Sequence, residues 1–142
     1  MHDNNKVYAD LPSEVDKIIA IIKRLREPGG CPWDIEQTHE SLVKHLIEES
    51  QEVKHEIEAG NHGDELMEEL GDLLLQVFLH ARIAEEENRF NFNDVAERLR
   101  KKLVFRHPHV FGDNPREITQ KELDEQWKRL KAIEKQQKKH SS

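Results

Sequence analysis

Apolar residues recur every three or four positions along most of this chain, and no segment alternates apolar and polar as a half-buried strand would. Only six Gly and five Pro interrupt 142 residues, so long helices are affordable. Pro12 and Ser13, with Asp16 three residues on, form a helix start, and Val15, Ile18, Ile19, Ile22 and Leu25 then keep helical spacing to about Arg26. EPGGCPWDIEQ (27–37) breaks the pattern and is predicted to be a loop. Thr38 or Ser41 opens a second helix whose apolar line runs Leu42, Leu46, Val53, Ile57, until AGNHG (59–63) stops it. A third helix is predicted over 64–87, apolar almost all round in 73–84 and therefore the most buried element. Asn93 is the expected cap of a fourth helix, with Val95, Leu99 and Leu103 inward. Residues 106–117 read as irregular, and Thr119 with Glu122 starts a last helix bearing Leu123, Trp127 and Leu130. The expected fold is an all-α antiparallel helical bundle over residues 13–133. A disordered or extended segment (1–12) precedes it and a frayed polar tail (134–142) follows.

Charged residues at 36% and hydrophobic ones at 35% suit thin amphipathic helices better than a sheet buried on both faces. Cys31 is the sole cysteine, so no internal disulfide can form, and a reducing cytoplasm is the expected location. The polar start MHDNNKVYAD lacks the apolar core of a signal peptide. Even LGDLLLQVFLHARIA carries Asp72, Gln76, His80 and Arg82, so no membrane span is expected. The net charge of −7 hides an asymmetry. Residues 36–87 hold fifteen Asp or Glu against three Lys or Arg, whereas residues 98–139 hold thirteen Lys or Arg against six Asp or Glu. The two halves are either two solvated surfaces or a cation site and an anion site. Nucleic acid is not an expected partner, because the acidic half would repel its phosphates unless metal intervened.

The acidic half concentrates its charge oddly. In IEESQE (47–52), Glu48, Glu49 and Glu52 crowd together, and Glu49 stands on an apolar line where a leucine is expected. Glu49 and Glu52 are helical neighbours, and at ~5.5 Å with an effective dielectric of ~20 their bare repulsion is roughly 3 kcal/mol, less once water and salt screen it. EELGD (68–72) repeats the offset with Glu69 and Asp72. Glu52 lies nine residues before Asn61 and Glu69 eight after it, so the pairs fall at one height on facing helices. Four carboxylates converging there need a counter-charge, and all-oxygen ligation points to Mg²⁺ or Mn²⁺. The competing account is a solvated acidic face. A di-iron bundle fits less well: Glu36 and His39 sit at the edge of the Pro/Gly loop, and His55 is turned about 60° from Glu52.

EESQE, sixteen residues and ELGD together resemble the EExxE…ExxD signature of MazG-type nucleoside triphosphate pyrophosphohydrolases. The likeness extends through GGCPWDIEQT (29–38), ELGDLLLQVFLHA (69–81), RFNFND (89–94), KLVFRHPHVF (102–111) and LDEQWKRLK (123–131). This resemblance implies an all-α bundle that dimerises, as a homodimer or a dimer of dimers. It further implies hydrolysis of (deoxy)nucleoside triphosphates to the monophosphate and pyrophosphate with Mg²⁺, Mn²⁺ being possible. By position, Glu49, Glu52, Glu69 and Asp72 match the family's metal ligands. Glu48 is left to orient or deprotonate the attacking water, or to support the ligands from behind. Lys102 and Arg106 match a phosphate-binding pair, although a basic helix C-terminus is favourable in its own right. Trp127 matches a base-stacking tryptophan, with core packing as its other role, and Trp33 is a further pocket candidate. His107 and His109 are expected to fix their loop rather than bind metal. Well-known relatives carry two such domains in tandem, and CPWD…RHPHVF is the style of the first copy. Two alternatives stay open: a non-catalytic, metal-stabilised helical dimerisation module, and a regulatory protein that binds nucleoside triphosphate without cleaving it.

Overall fold

A computed structural model describes residues 6–140, all helix, turn or irregular, with no strand among them. Seven helices follow in order: α1 Glu14–Arg26, α2 Pro32–Glu36, α3 Val43–Glu58, α4 Asp64–Glu86, α5 Phe92–Arg106, α6 Pro108–Phe111 and α7 Gln120–His140. No described helix is long and apolar enough to cross a membrane. The chain divides into two compact units, the first ending at Phe92 and the second beginning at Asn93.

In the first unit the cap of α1 is the expected one. The Ser13 hydroxyl oxygen accepts from the Asp16 N–H at 3.1 Å and itself donates to the Asp16 carboxylate at 2.6 Å. Upstream, residues 6–12 form turns rather than an extended arm, with the Leu11 N–H on the Tyr8 carbonyl at 3.0 Å, and residues 1–5 lie outside the described residues. After α1 the chain reverses sharply. Gly29 has φ +86°, and a Cβ at Gly30 would run into the carbonyls of Arg24 and Leu25, so this Gly pair has a steric reason.

Segments 27–37 and 38–42 also depart from expectation, as do residues 106–117, which contain α6. The loop predicted over 27–37 contains α2, with Pro32 in its first turn, where a missing N–H costs nothing. Thr38 and Ser41 do cap, but they cap each other in a turn: the Thr38 N–H donates to the Ser41 hydroxyl at 2.8 Å and the Ser41 N–H to the Thr38 hydroxyl at 3.1 Å. Helix α3 therefore begins later, at Val43.

Helix α4 packs against both α3 and α1, which is why it carries most of the core. Ile22, Leu42, Phe78, Leu79 and Ile83 cluster, with Ile18, Ile19, Leu25 and Phe92 packed on them. Phe92 lies on Phe78 with ring centroids 4.2 Å apart. Leu42 is 0% exposed and Leu79 1%, and each such burial contributes about 1.5–3 kcal/mol. The expected α3 line is buried only at its start: Leu46 and Ile57 remain exposed, because α3 packs chiefly on α4. Arg26 closes the unit by gripping the Glu86 carboxylate at 3.0 Å and the carbonyls of Asp34 and Gln37.

In the second unit Asn93 lies inside α5, which starts at Phe92, so it is not the cap. Thr119 is: its hydroxyl accepts from the Glu122 N–H at 3.2 Å. The predicted frayed tail is helical through His140, with residues 141 and 142 outside the described ones. Its Lys and Gln are good helix formers, and Glu134 ties it to Arg106.

Candidate metal centre

A five-residue connection (59–63) turns α3 back along α4, so side chains at equal distance from it meet. Along α3 and its cap residue Leu42, steps of seven and four residues put Leu42, Glu49 and Val53 on one line. On α4 the corresponding line is Glu69, Leu73, Gln76 and His80. Carboxylate oxygens of Glu49, Glu69 and Asp72 all lie within 4.8 Å of one another. Glu49 and Glu69 are half-buried.

Partial burial holds the Glu49 carboxyl above its ordinary range, and Asp72, Glu52 and Glu48 push it further, with His45 opposing. Glu69 is raised in the same way, by burial and then by Asp72, Glu52, Glu49 and Glu68. Among the described residues no Lys or Arg pairs with Glu49, Glu52, Glu69 or Asp72. An all-oxygen cluster of like charges suits a hard divalent cation.

Glu52 stands apart from these three. It is exposed and its oxygens are outside the 4.8 Å group, although its charge bears on both glutamates. It sits about 60° round α3 from Glu49, so its charge bears on the cluster from the flank. Glu48 is exposed, and its carboxylate faces the His45 ring nitrogen at 3.5 Å. Trp33, 48% exposed, meets His45 edge-on at 5.5 Å. Both line an open cleft of about 640 Å³ with Gln37, Ser41 and Lys44. The one sequence signal for His45 is its three-residue offset from Glu48.

Lys102, Arg106 and Trp127 belong to the second unit. Lys102 is exposed and lines a basic cleft with Arg98, Lys101 and Lys138. Arg106 is engaged: its guanidinium forms a two-pronged bond to Glu134 at 3.0 and 2.8 Å, and lies 4.9 Å from the Trp127 ring centre. Glu134 raises the Arg106 pKa and is itself held below the carboxylate range by that bond. Trp127 is half-buried, with Lys131 and His107 also against its ring. His107 faces the Leu103 carbonyl, and His109 accepts from the Gln126 amide at 3.0 Å, so both tie down α6 and the turn into it. His39 of the discounted iron motif faces His80 and not Glu36.

Residues 37–111 match the family model of the MazG nucleotide pyrophosphohydrolase domain. The chain is 48% identical over 126 residues to a nucleoside triphosphate pyrophosphohydrolase/pyrophosphatase MazG of Thermotoga maritima, covering 89% of this chain and 47% of that one. It is 43% identical over 127 residues to a nucleoside triphosphate pyrophosphohydrolase of Escherichia coli K12, covering 89% and 48%. It thus spans about half the length of these curated relatives. A crystal structure of a mazG-related protein from Thermotoga maritima superposes with a TM-score of 0.68 at 27% identity, covering 82% of this chain and 98% of that one. Family model, relatives and helical fold agree, and the chain belongs to the MazG nucleotide pyrophosphohydrolase domain family.

Proposed function

We propose that this protein hydrolyses nucleoside or deoxynucleoside triphosphates to the monophosphate and pyrophosphate, with Mg²⁺ or Mn²⁺ as cofactor. The convergence of Glu49, Glu69 and Asp72 within 4.8 Å, with no basic partner among the described residues, carries this reading. A divalent cation bound there supplies charge against the phosphate oxygens and the acidity that makes a water nucleophilic. Glu49, Glu69 and Asp72 hold it, and Glu52 joins from the flank. Glu48, beside the group and partnered by His45, takes the proton from the attacking water. Attack in line at the α-phosphorus expels pyrophosphate. Lys102 and Arg106 serve the phosphates and Trp127 the base. Arg106 must then exchange Glu134 for phosphate or act with it in place. Trp33, exposed beside His45, offers a second aromatic face. The working unit is a dimer or a dimer of dimers in the cytoplasm.

Incubating a panel of NTPs and dNTPs with the protein and Mg²⁺, then resolving products by ion-exchange chromatography, tests this directly. Monophosphate and pyrophosphate should appear together. Diphosphate as first product moves attack to the γ-phosphorus and overturns the mechanism, and metal binding without turnover replaces it with the binding-module account.

A further inference from the structure

His39 and His80 meet nitrogen to nitrogen. Their Nδ1 atoms are 2.7 Å apart, their ring planes differ by 1°, and their centroids are 5.0 Å apart. Adding roughly 1.1 Å from each ring centre to its nitrogen accounts for that separation, so the rings lie edge to edge in one plane, joined by a straight N–H···N bond. Two neutral imidazoles can do this only if one Nδ1 carries a proton and the other a lone pair. His80 Nε2 is buried with no partner. A proton there would strand a buried donor, which is worse than a stranded lone pair. His80 Nδ1–H therefore donates, and His39 Nδ1 accepts.

The location gives the bond its meaning. His39 stands in the turn that leads the chain into α3, three residues before fully buried Leu42. His80 ends the α4 line that begins at Glu69. The connection at 59–63 joins α3 and α4 at one end, the imidazole pair joins them at the other, and Glu49, Glu69 and Asp72 lie between. We propose that the His39–His80 bond is a proton-operated clasp that positions the two carboxylate helices, closed while the pair shares one Nδ1 proton and open once both rings are protonated. Its consequence for metal rests on the proposed function above.

Two cations cannot hold such a bond, since neither Nδ1 retains a lone pair. Burial, and then His39, set His80 below the ordinary imidazole range. Neutral His80 is thus favoured by the fold, so its stabilising contribution is complete above the ordinary value of about 6.5 and is lost as pH falls below it. No carboxylate among the described residues enters that balance. Glu36 and Glu40 flank His39 in sequence. From α1, Arg26 is occupied by Glu86 and the carbonyls of Asp34 and Gln37, and on α4 Arg82 lies against Glu85 and Glu86. His39 and His80 are positioning residues here.

Amide hydrogen exchange of the metal-free protein at about pH 7.5 and 5.5, corrected for intrinsic rates, tests the clasp. Protection over residues 43–47 should fall by ~10-fold or more at the acid pH. His39→Ala should lack it at both pH values. His39→Gln, which can bond His80 Nδ1 without taking a charge, should keep it at both. Equal wild-type protection at the two pH values overturns the proposal, and so does the same acid loss in His39→Gln. Mn²⁺ affinity at about pH 7.5, read by electron paramagnetic resonance, should weaken ~10-fold in His39→Ala and recover in His39→Gln. Unchanged affinity in all three proteins removes the positioning role. Failure of the wild type to bind Mn²⁺ sinks the metal assignment instead, while the exchange data still decide the clasp.

Discussion

Glu49 was visible in the sequence because a carboxylate on an apolar helical line has no packing reason to be there, and Glu69 and Asp72 because they mirror the first pair across a short connection. What was not visible is which partners fill the space around a candidate. Arg106 has the expected spacing from Lys102, yet the carboxylate that holds it is twenty-eight residues away, in a stretch that reads as tail. The His39–His80 pair spans forty-one residues and leaves no local trace. Glu49 and Glu69 allow a signed prediction. Both are held above the ordinary value of about 4.5, so their contribution to stability is complete below it and is lost as pH rises through the raised value. A cation that binds the ionised acids reverses this loss. The gain in melting temperature on adding Mn²⁺ should therefore grow between about pH 5 and pH 7. A gain that does not change with pH contradicts ligation by these acids. Asp72→Asn removes the charge acting most strongly on both glutamates. Turnover should drop at least ~10²-fold, while metal-free stability holds or rises. A sharp loss of metal-free stability would make the acids structural.

At the scale of elements, long helices were legible and short ones were not. Helices α1, α3, α4 and α7 each offer three or more turns over which apolar spacing accumulates. Helix α2 has five residues and α6 four, too few for a period, and only Pro32 and Pro108 in their first turns mark them. The sequence sets the start of α3 too early because the Thr38–Ser41 pair has the sequence of a helix cap and the structure of a turn. That turn matters, since it seats Leu42 at 0% exposure in the core shared by α1 and α4. Leu42→Ala should cost about 2–5 kcal/mol in urea unfolding. Ser13→Ala, which removes an exposed cap from α1, should cost about 1 kcal/mol. If the two losses are equal, α3 is not anchored through its first turn.

The whole molecule poses a problem of cover. Helix α4 is apolar nearly all round between Leu73 and Ala84, but among the described helices it packs closely on α1 and α3, and several of its apolar side chains stay exposed. Met67, Leu70, Leu74 and Val77 follow one another at steps of three, four and three, which places them on a single face. Met67 is 67% exposed and Leu70 48%, too much apolar surface in one stripe to be scattered exposure. Leu46 and Ile47 on α3 add to the exposed area. A second copy of the same helices is the simplest cover, because a two-fold axis pairs each stripe with its own equivalent. A lasting contact of this kind must bury about 1,200–2,000 Å² in total, more than one stripe provides, so both α3 and α4 should take part. Sedimentation at micromolar concentration should show no 16.7 kDa species. Leu74→Glu, in mid-stripe and on the flank of α4 away from the Glu69 line, should release that species without unfolding it. If the wild type already sediments as a stable, active monomer, the stripe has some other role and each metal centre works within one chain.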